Sequence, residues 1–217
     1  MSRYEEIVDM LTTPAVLLLL DELSEQIRSS GGMTPKIVQY AGDRLDNTFG
    51  LYRKELLDVA LGSMRADRLG KRIDGWLFTN VSAEQSTHPL VAAHHASRFS
   101  GHKHVVEICT GTGSDTLALS RVADKVTTFE SDVTTAAVAT ANFRIHGLSN
   151  VTLIVGKWPE ASPDLYAVEG IWADPSRRTL QGERVHTDVH YLPPLATILH
   201  GPRDYGNLDA VVGIKVG

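Results

Sequence analysis

Between Val105 and Leu119 the chain reads V-V-E-I-C-T-G-T-G-S-D-T-L-A-L. A short apolar run ends beside an acid, turns through two glycines and reopens with helical spacing. A second strand expected over 125–129 ends on Glu130. Two strands joined through a helix run parallel, so this stretch commits the chain to an α/β fold. Gly111 and Gly113 let the backbone turn tightly and approach a ligand without a Cβ in the way. The helix expected from Ser114 directs free N–H groups and the positive end of its dipole at the same point. An acid at the tip of the second strand is placed to accept both hydroxyls of a ribose. The unit therefore predicts a site for a ligand that carries a nucleoside.

Alternation continues beyond this unit. Strands are expected near 104–109, 125–129, 151–155, 169–173 and 208–216, with helices between them, for instance from Thr134 to His146, ended by Gly147. That order predicts a mostly parallel, Rossmann-like sheet with helices on both faces. The first hundred residues read as helices. Thr13-Pro14 and Thr34-Pro35 are start signals, and Gly31-Gly32 a stop. Helical spacing returns over 51–64, a loop is expected from Val81, and Pro89 opens another helix; the loop is placed to fold over the glycine turn. Trp76-Leu77-Phe78 reads as an anchor docking these helices on the sheet. The expected division is a helical region over 1–100 and a ligand-binding core over 101–217.

Composition removes several function classes. Against 26 Asp and Glu stand 21 Lys and Arg, a net charge of −5 with neither half basic, so no global field draws in nucleic acid. A single cysteine excludes a disulfide framework and a Cys-based zinc site and suits a reducing cytosol. The apolar run Ala15–Leu20 is too short to span a bilayer and the N-terminus is acidic where a signal peptide is basic, so a cytoplasmic protein without a membrane partner is expected. His186 and His190 have the i, i+4 spacing of a metal pair, yet no Cys or acid-rich loop accompanies them, and no metal is expected. The run 211–217 reads as a central buried strand, which a partner or a further domain would have to cover.

Two ligand classes use a glycine turn of this kind. A dinucleotide site wants a third small residue where Thr116 stands, and its pyrophosphate would meet Asp115 in the first helical turn. S-adenosylmethionine carries a sulfonium and an ammonium, and acids such as Glu107 and Asp115 suit it better. A turn that merely links strand to helix is the plain alternative, and for Cys109 a small apolar turn residue is the plain role.

A second motif follows the strand at 169–173: Asp174-Pro175-Ser176-Arg177-Arg178. Ligands of open α/β sheets bind at the carboxyl ends of strands where strand order reverses. Pro175 pins the backbone there, turning the Asp174 carboxylate and neighbouring carbonyls towards the ligand. Arg177 and Arg178 could grip a phosphate or carboxylate of an acceptor.

With these motifs assembled, the chain resembles class I S-adenosylmethionine-dependent methyltransferases. More narrowly it resembles the bacterial group carrying a C-terminal THUMP-like domain. The likeness rests on G-W-L-F-T at 75–79, A-E-Q-S-T-H-P-L-V-A-A-H-H-A-S-R-F at 83–99, the glycine-turn core, and D-P-S-R-R at 174–178 in place of D-P-A-R-R. It implies S-adenosylmethionine as cofactor, with Glu107, Cys109, Gly111, Thr112, Gly113, Asp115, Thr116, Glu130 and Ser131 as the cofactor-binding set. Asp174, Pro175, Arg177 and Arg178 are then the catalytic set, facing an RNA base. Gly156-Lys157 stands where an acid contacting adenine is common. The sequence is expected to stop short of the last strands and of the THUMP-like domain. A non-catalytic cofactor-binding module and a nicotinamide-dependent oxidoreductase are the competing readings.

Overall fold

The computed structural model describes residues 1–45, 49–161, 167–176, 191–204 and 209–216. The described chain forms two compact units. One comprises 1–89, 111–114 and 133–147; the other comprises 90–110, 115–132 and 148–217.

The first unit is helical: α1 (Arg3–Thr12), α2 (Pro14–Ser29), α3 (Pro35–Arg44), α4 (Arg53–Arg68), α5 (Asn80–Gln85) and, much later in sequence, α8 (Val133–Ile145). Ser2 caps α1 reciprocally: its hydroxyl accepts from the Glu5 N–H, and its own N–H donates to the Glu5 carboxylate at 2.7 Å. The expected starts at Pro14 and Pro35 hold, with Thr34 accepting from the Ile37 N–H at 3.4 Å. Ile7, Met10 and Leu11 of α1, Leu20 and Leu23 of α2, and Ala137, Val138 and Ala141 of α8 share one buried cluster. The Tyr4 hydroxyl bonds Thr140 at 2.7 Å and Arg144 reaches Asp9 at 3.3 Å. The alanine-rich face of α8 permits this close approach.

The structure differs from the sequence reading at 80–85, where a helix replaces the expected loop. Its capping box uses Ser82 rather than Glu or Gln at the third position: Ser82 N–H donates to the Thr79 hydroxyl at 3.0 Å, and Thr79 N–H to the Ser82 hydroxyl at 2.8 Å. Gly62 of α4 lets the chain at 78–79 pass against the helix backbone, since a Cβ there would lie 2.1 Å from the Phe78 carbonyl oxygen.

The second unit holds a sheet of five parallel strands, β1 (Val105–Ile108), β2 (Val126–Glu130), β3 (Val151–Val155), β4 (Gly170–Ala173) and β5 (Val211–Ile214), in the order β3-β2-β1-β4-β5. Strand order reverses between β1 and β4, which pair Glu107 with Trp172 and Ile108 with Ala173. All five expected strands are present. Side chains alternate between faces. Val105, Val126 and Trp172 pack with Ala92 and Ala96 of α6 (Pro89–Ala96) and Leu119 of α7 (Ser114–Leu119). On the opposite face Val106, Ile108, Phe129 and Ile171 pack with Ile198 of α9 (Leu195–Asp204). Among the described residues β5 pairs only with β4, and Val211 is 41% exposed. No helix among the described residues is long and apolar enough to cross a membrane.

Candidate functional site

In the sheet unit, the carboxyl ends of β1, β2, β4 and β5 gather the charged side chains. Glu107 is 1% exposed, and its Oε2 accepts from the Thr116 hydroxyl at 2.5 Å and the Thr128 hydroxyl at 2.7 Å. The Thr110 hydroxyl bonds that of Thr128 in turn. Burial pushes Glu107 up to about 8, against the two threonine bonds, and the like charges of Asp115 and Asp174 add to the rise. Two positions beyond Thr128 on the same strand, Glu130 accepts from the Asp132 N–H at 2.9 Å. Strand alternation carries it on the Glu107 side of the sheet, so the two expected acids stand at neighbouring strand ends.

Asp174 follows β4, and Pro175 behind it is buried. Lys215, just past β5, donates to Asp174 Oδ2 at 2.6 Å, with about a fifth of each side chain exposed. The parallel register that sets Ala173 opposite Ile214 makes this pair. Above β4, the His95 ring of α6 lies 4.6 Å from the Trp172 indole, and its Nδ1 stands 3.8 Å from Asp115 Oδ1. Burial lowers the His95 pKa, and Lys215, Arg98 and His94 push the same way against Asp115, so the imidazole is neutral at neutral pH.

Cys109 takes a left-handed backbone (φ 68°) immediately after β1 and is half-buried. Its thiol donates to the Leu192 carbonyl at 3.5 Å. Burial and then the charges of Glu130 and Asp174 push its pKa up. The thiol is therefore expected to resist iodoacetamide at pH 8 in the native protein and to react on unfolding; timed mass spectrometry reads both, and rapid native alkylation would contradict this environment.

The glycine turn itself, 111–114, belongs to the helical unit. Gly111 (φ 57°) and Gly113 (φ 90°) both take backbone conformations that side chains disfavour. A Cβ on Gly113 would lie 2.5 Å from the Phe143 ring and 3.3 Å from Trp76 Cζ2. Asn142, wholly buried on α8, fixes the turn. Its Oδ1 accepts from the Leu77 N–H at 2.7 Å, and its Nδ2 donates to the Leu77 and Thr112 carbonyls at 2.9 and 3.0 Å. The hydroxyls of Thr112 and Ser114 are buried with no hydrogen-bond partner among the described residues.

The structure thus gathers Glu107, Cys109, Asp115, Thr116, Glu130, Asp174 and Pro175 in the sheet unit, and Gly111, Thr112 and Gly113 in the helical unit. Ser131 is exposed after β2. Arg177, Arg178, His186 and His190 lie outside the described residues. Sequence reading passed over Lys215, His95, Thr128 and Asn142. For Lys215 a signal existed, a lysine one residue past an apolar strand, but the pairing of that strand with β4 was needed to give it meaning.

A parallel sheet in this order is a Rossmann-like α/β architecture. Among solved structures, a Porphyromonas gingivalis W83 protein provisionally designated a methyltransferase shares this fold. The match has a TM-score of 0.54 at 18% identity and covers 83% of this chain and 46% of that one. The chain thus spans less than half the length of that relative. Smaller overlaps occur with the tRNA (m1A58) methyltransferase TrmI of Aquifex aeolicus (TM-score 0.40, 26% identity, 43% of this chain and 39% of that one). Another occurs with the Trypanosoma brucei PRMT1 enzyme-prozyme complex with AdoHcy (0.46, 19%, 58% and 38%). No protein-family model matches the chain, and no curated protein matches it in sequence.

Proposed function

We propose that this chain is the cofactor-binding core of an S-adenosylmethionine-dependent methyltransferase acting on an RNA base. The observation that carries the reading is the set of acids at the ends of β1 and β2: Glu107 and Glu130 at neighbouring strand ends, with Asp115 acting electrostatically on Glu107. A bound cation would draw Glu107 into its ionised form, and beside Asp115 and Glu130 it then favours a ligand bearing a sulfonium and an ammonium over one bearing a pyrophosphate. Glu130 would hold the ribose hydroxyls. When bound, the cofactor supplies a methyl group on a good leaving group, so the protein's own task is chiefly orientation. Asp174, with its backbone pinned by Pro175, would face the acceptor's exocyclic amine or hydroxyl. The RNA acceptor is supported by the D-P-S-R-R motif and its likeness to THUMP-linked methyltransferases.

Calorimetry with S-adenosylmethionine and NAD tests the reading. S-adenosylmethionine is expected to bind and NAD to bind far more weakly; the reverse preference would overturn it. Glu130→Ala is expected to weaken the S-adenosylmethionine complex by ~1–3 kcal/mol, the cost of unmade ribose hydrogen bonds. Unchanged affinity would remove Glu130 from the site.

One observation favours a second reading, a module that binds the cofactor without turning it over. Asp174 Oδ2 is already engaged by Lys215 at 2.6 Å. That reading expects cofactor binding but no labelled methyl on total RNA.

A further inference from the structure

We infer that His95, backed by Asp115, takes up the proton that the acceptor atom sheds as it is methylated. This rests on the S-adenosylmethionine reading and narrows its acceptor to an amine, a ring N–H or a hydroxyl, each of which has a proton to lose.

All the groups involved lie in the sheet unit. His95 Nδ1 is buried without a hydrogen-bond partner among the described residues, and Asp115 Oδ1 stands 3.8 Å away. A shift of about 0.8 Å would bring the two into a hydrogen bond, and catalytic hydrogen bonds are often long before substrate arrives. A carboxylate facing Nδ1 fixes the ring proton there and leaves the Nε2 lone pair as the acceptor. About a fifth of the His95 side chain is exposed, and none of that exposure is at Nδ1.

The ring sits over the strand that leads to Asp174. It lies 4.6 Å from the Trp172 indole. Trp172 and Asp174 share a face, since the ladder continues past β4 through the Asp174 N–H to the Ile108 carbonyl at 3.3 Å. The charged and titratable groups acting on the imidazole are His94 on its own helix, Arg98 in the turn after it, Asp115 on α7 and Lys215 past β5. Of the cations Lys215 acts most strongly, and it also bonds Asp174 at 2.6 Å. The other candidate bases near it are occupied. Asp174 Oδ2 is held by Lys215, Glu107 keeps its proton at neutral pH because burial raises it to about 8, and burial pushes the Cys109 thiol up. His95 is left as a neutral base, of the side-chain type that titrates nearest neutral pH.

The step balances without a further reactant. The acceptor's lone pair forms the bond to the methyl carbon, and the carbon–sulfur bond breaks with its electrons passing to sulfur. The N–H or O–H proton of the acceptor passes to His95 Nε2. Asp115 stabilises the imidazolium, which returns the proton to water.

Transfer of labelled methyl to total RNA, at saturating S-adenosylmethionine, is measured against pH beside an NMR titration of isotope-labelled histidine. Neutral His95 is expected as the Nδ1–H tautomer, and the acid limb of the rate profile is expected to follow its titration. His95→Gln should slow transfer at least about a hundredfold with cofactor affinity near the wild-type value. Arg98→Met removes a charge that lowers the His95 pKa, so titration and acid limb should move to higher pH together; Asp115→Asn should move both to lower pH. The methylated nucleoside should be uncharged. An Nε2–H tautomer, an acid limb that stays while the titration moves, undiminished transfer by His95→Gln, or a product bearing a fixed cation overturns the assignment. Should His95→Gln fail to fold by circular dichroism, the paired shifts decide. A wild type that binds S-adenosylmethionine but methylates no RNA overturns the assignment and spares the cofactor reading. One that binds no S-adenosylmethionine removes that reading first, and this assignment with it.

Discussion

Replacing Asn142 with alanine is expected to lower stability by about 3–5 kcal/mol, a large effect for one polar side chain. The residue is fully buried and serves three backbone groups: the Leu77 N–H, the Leu77 carbonyl and the Thr112 carbonyl. Alanine leaves all three without their partner in a site that water does not reach. For a chain of this length the loss corresponds to a fall in Tm of roughly 6–20 °C. Asn142→Asp keeps the acceptor but turns a carboxylate oxygen on carbonyls that need a donor, so it should fare no better. Thermal and urea denaturation read the effect. A shift in Tm of only a degree or two would show that the clamp contributes little. Because the clamp fixes the glycine turn, ligand affinity should fall with stability even though Asn142 touches no ligand.

The second large effect is on pH dependence, through Glu107. Its carboxyl is raised in the folded protein to about 8, from an ordinary value of 4.5. The folded state therefore keeps a proton that the unfolded chain has released. The contribution is fully present below about pH 4.5 and is lost as pH rises through about 8. Within that window the group alone tilts stability downward by up to ~1.4 kcal/mol per pH unit. Glu107→Gln keeps the shape and cannot titrate. It should flatten the profile between pH 5 and 8 and leave the variant more stable than wild type at pH 8. Urea denaturation at several pH values reads this; parallel profiles for the two proteins would contradict the raised pKa. The same substitution should weaken S-adenosylmethionine binding at pH 8, since a cationic ligand favours the ionised carboxylate that the variant lacks.

The local features of this protein were legible before its structure. The strand at 105–108, the glycine turn, the helix from Ser114 and the acid at Glu130 are successive residues whose spacing reports their own conformation. Pro14 and Pro35 mark helix starts because proline fixes φ and needs no N–H partner there. The short helix α5 escaped notice because its capping box closes through a serine.

What sequence by itself determined, then, was the succession of elements and the chemical character of the strand ends, since periodicity, caps and glycine turns act over a few residues. Tertiary structure alone decided which distant groups meet. Register between β4 and β5 set Lys215 on Asp174, and α8 carried Asn142 to the glycine turn from 30 residues away in the chain. Those pairings arise from packing and strand order, which no short stretch of chain encodes.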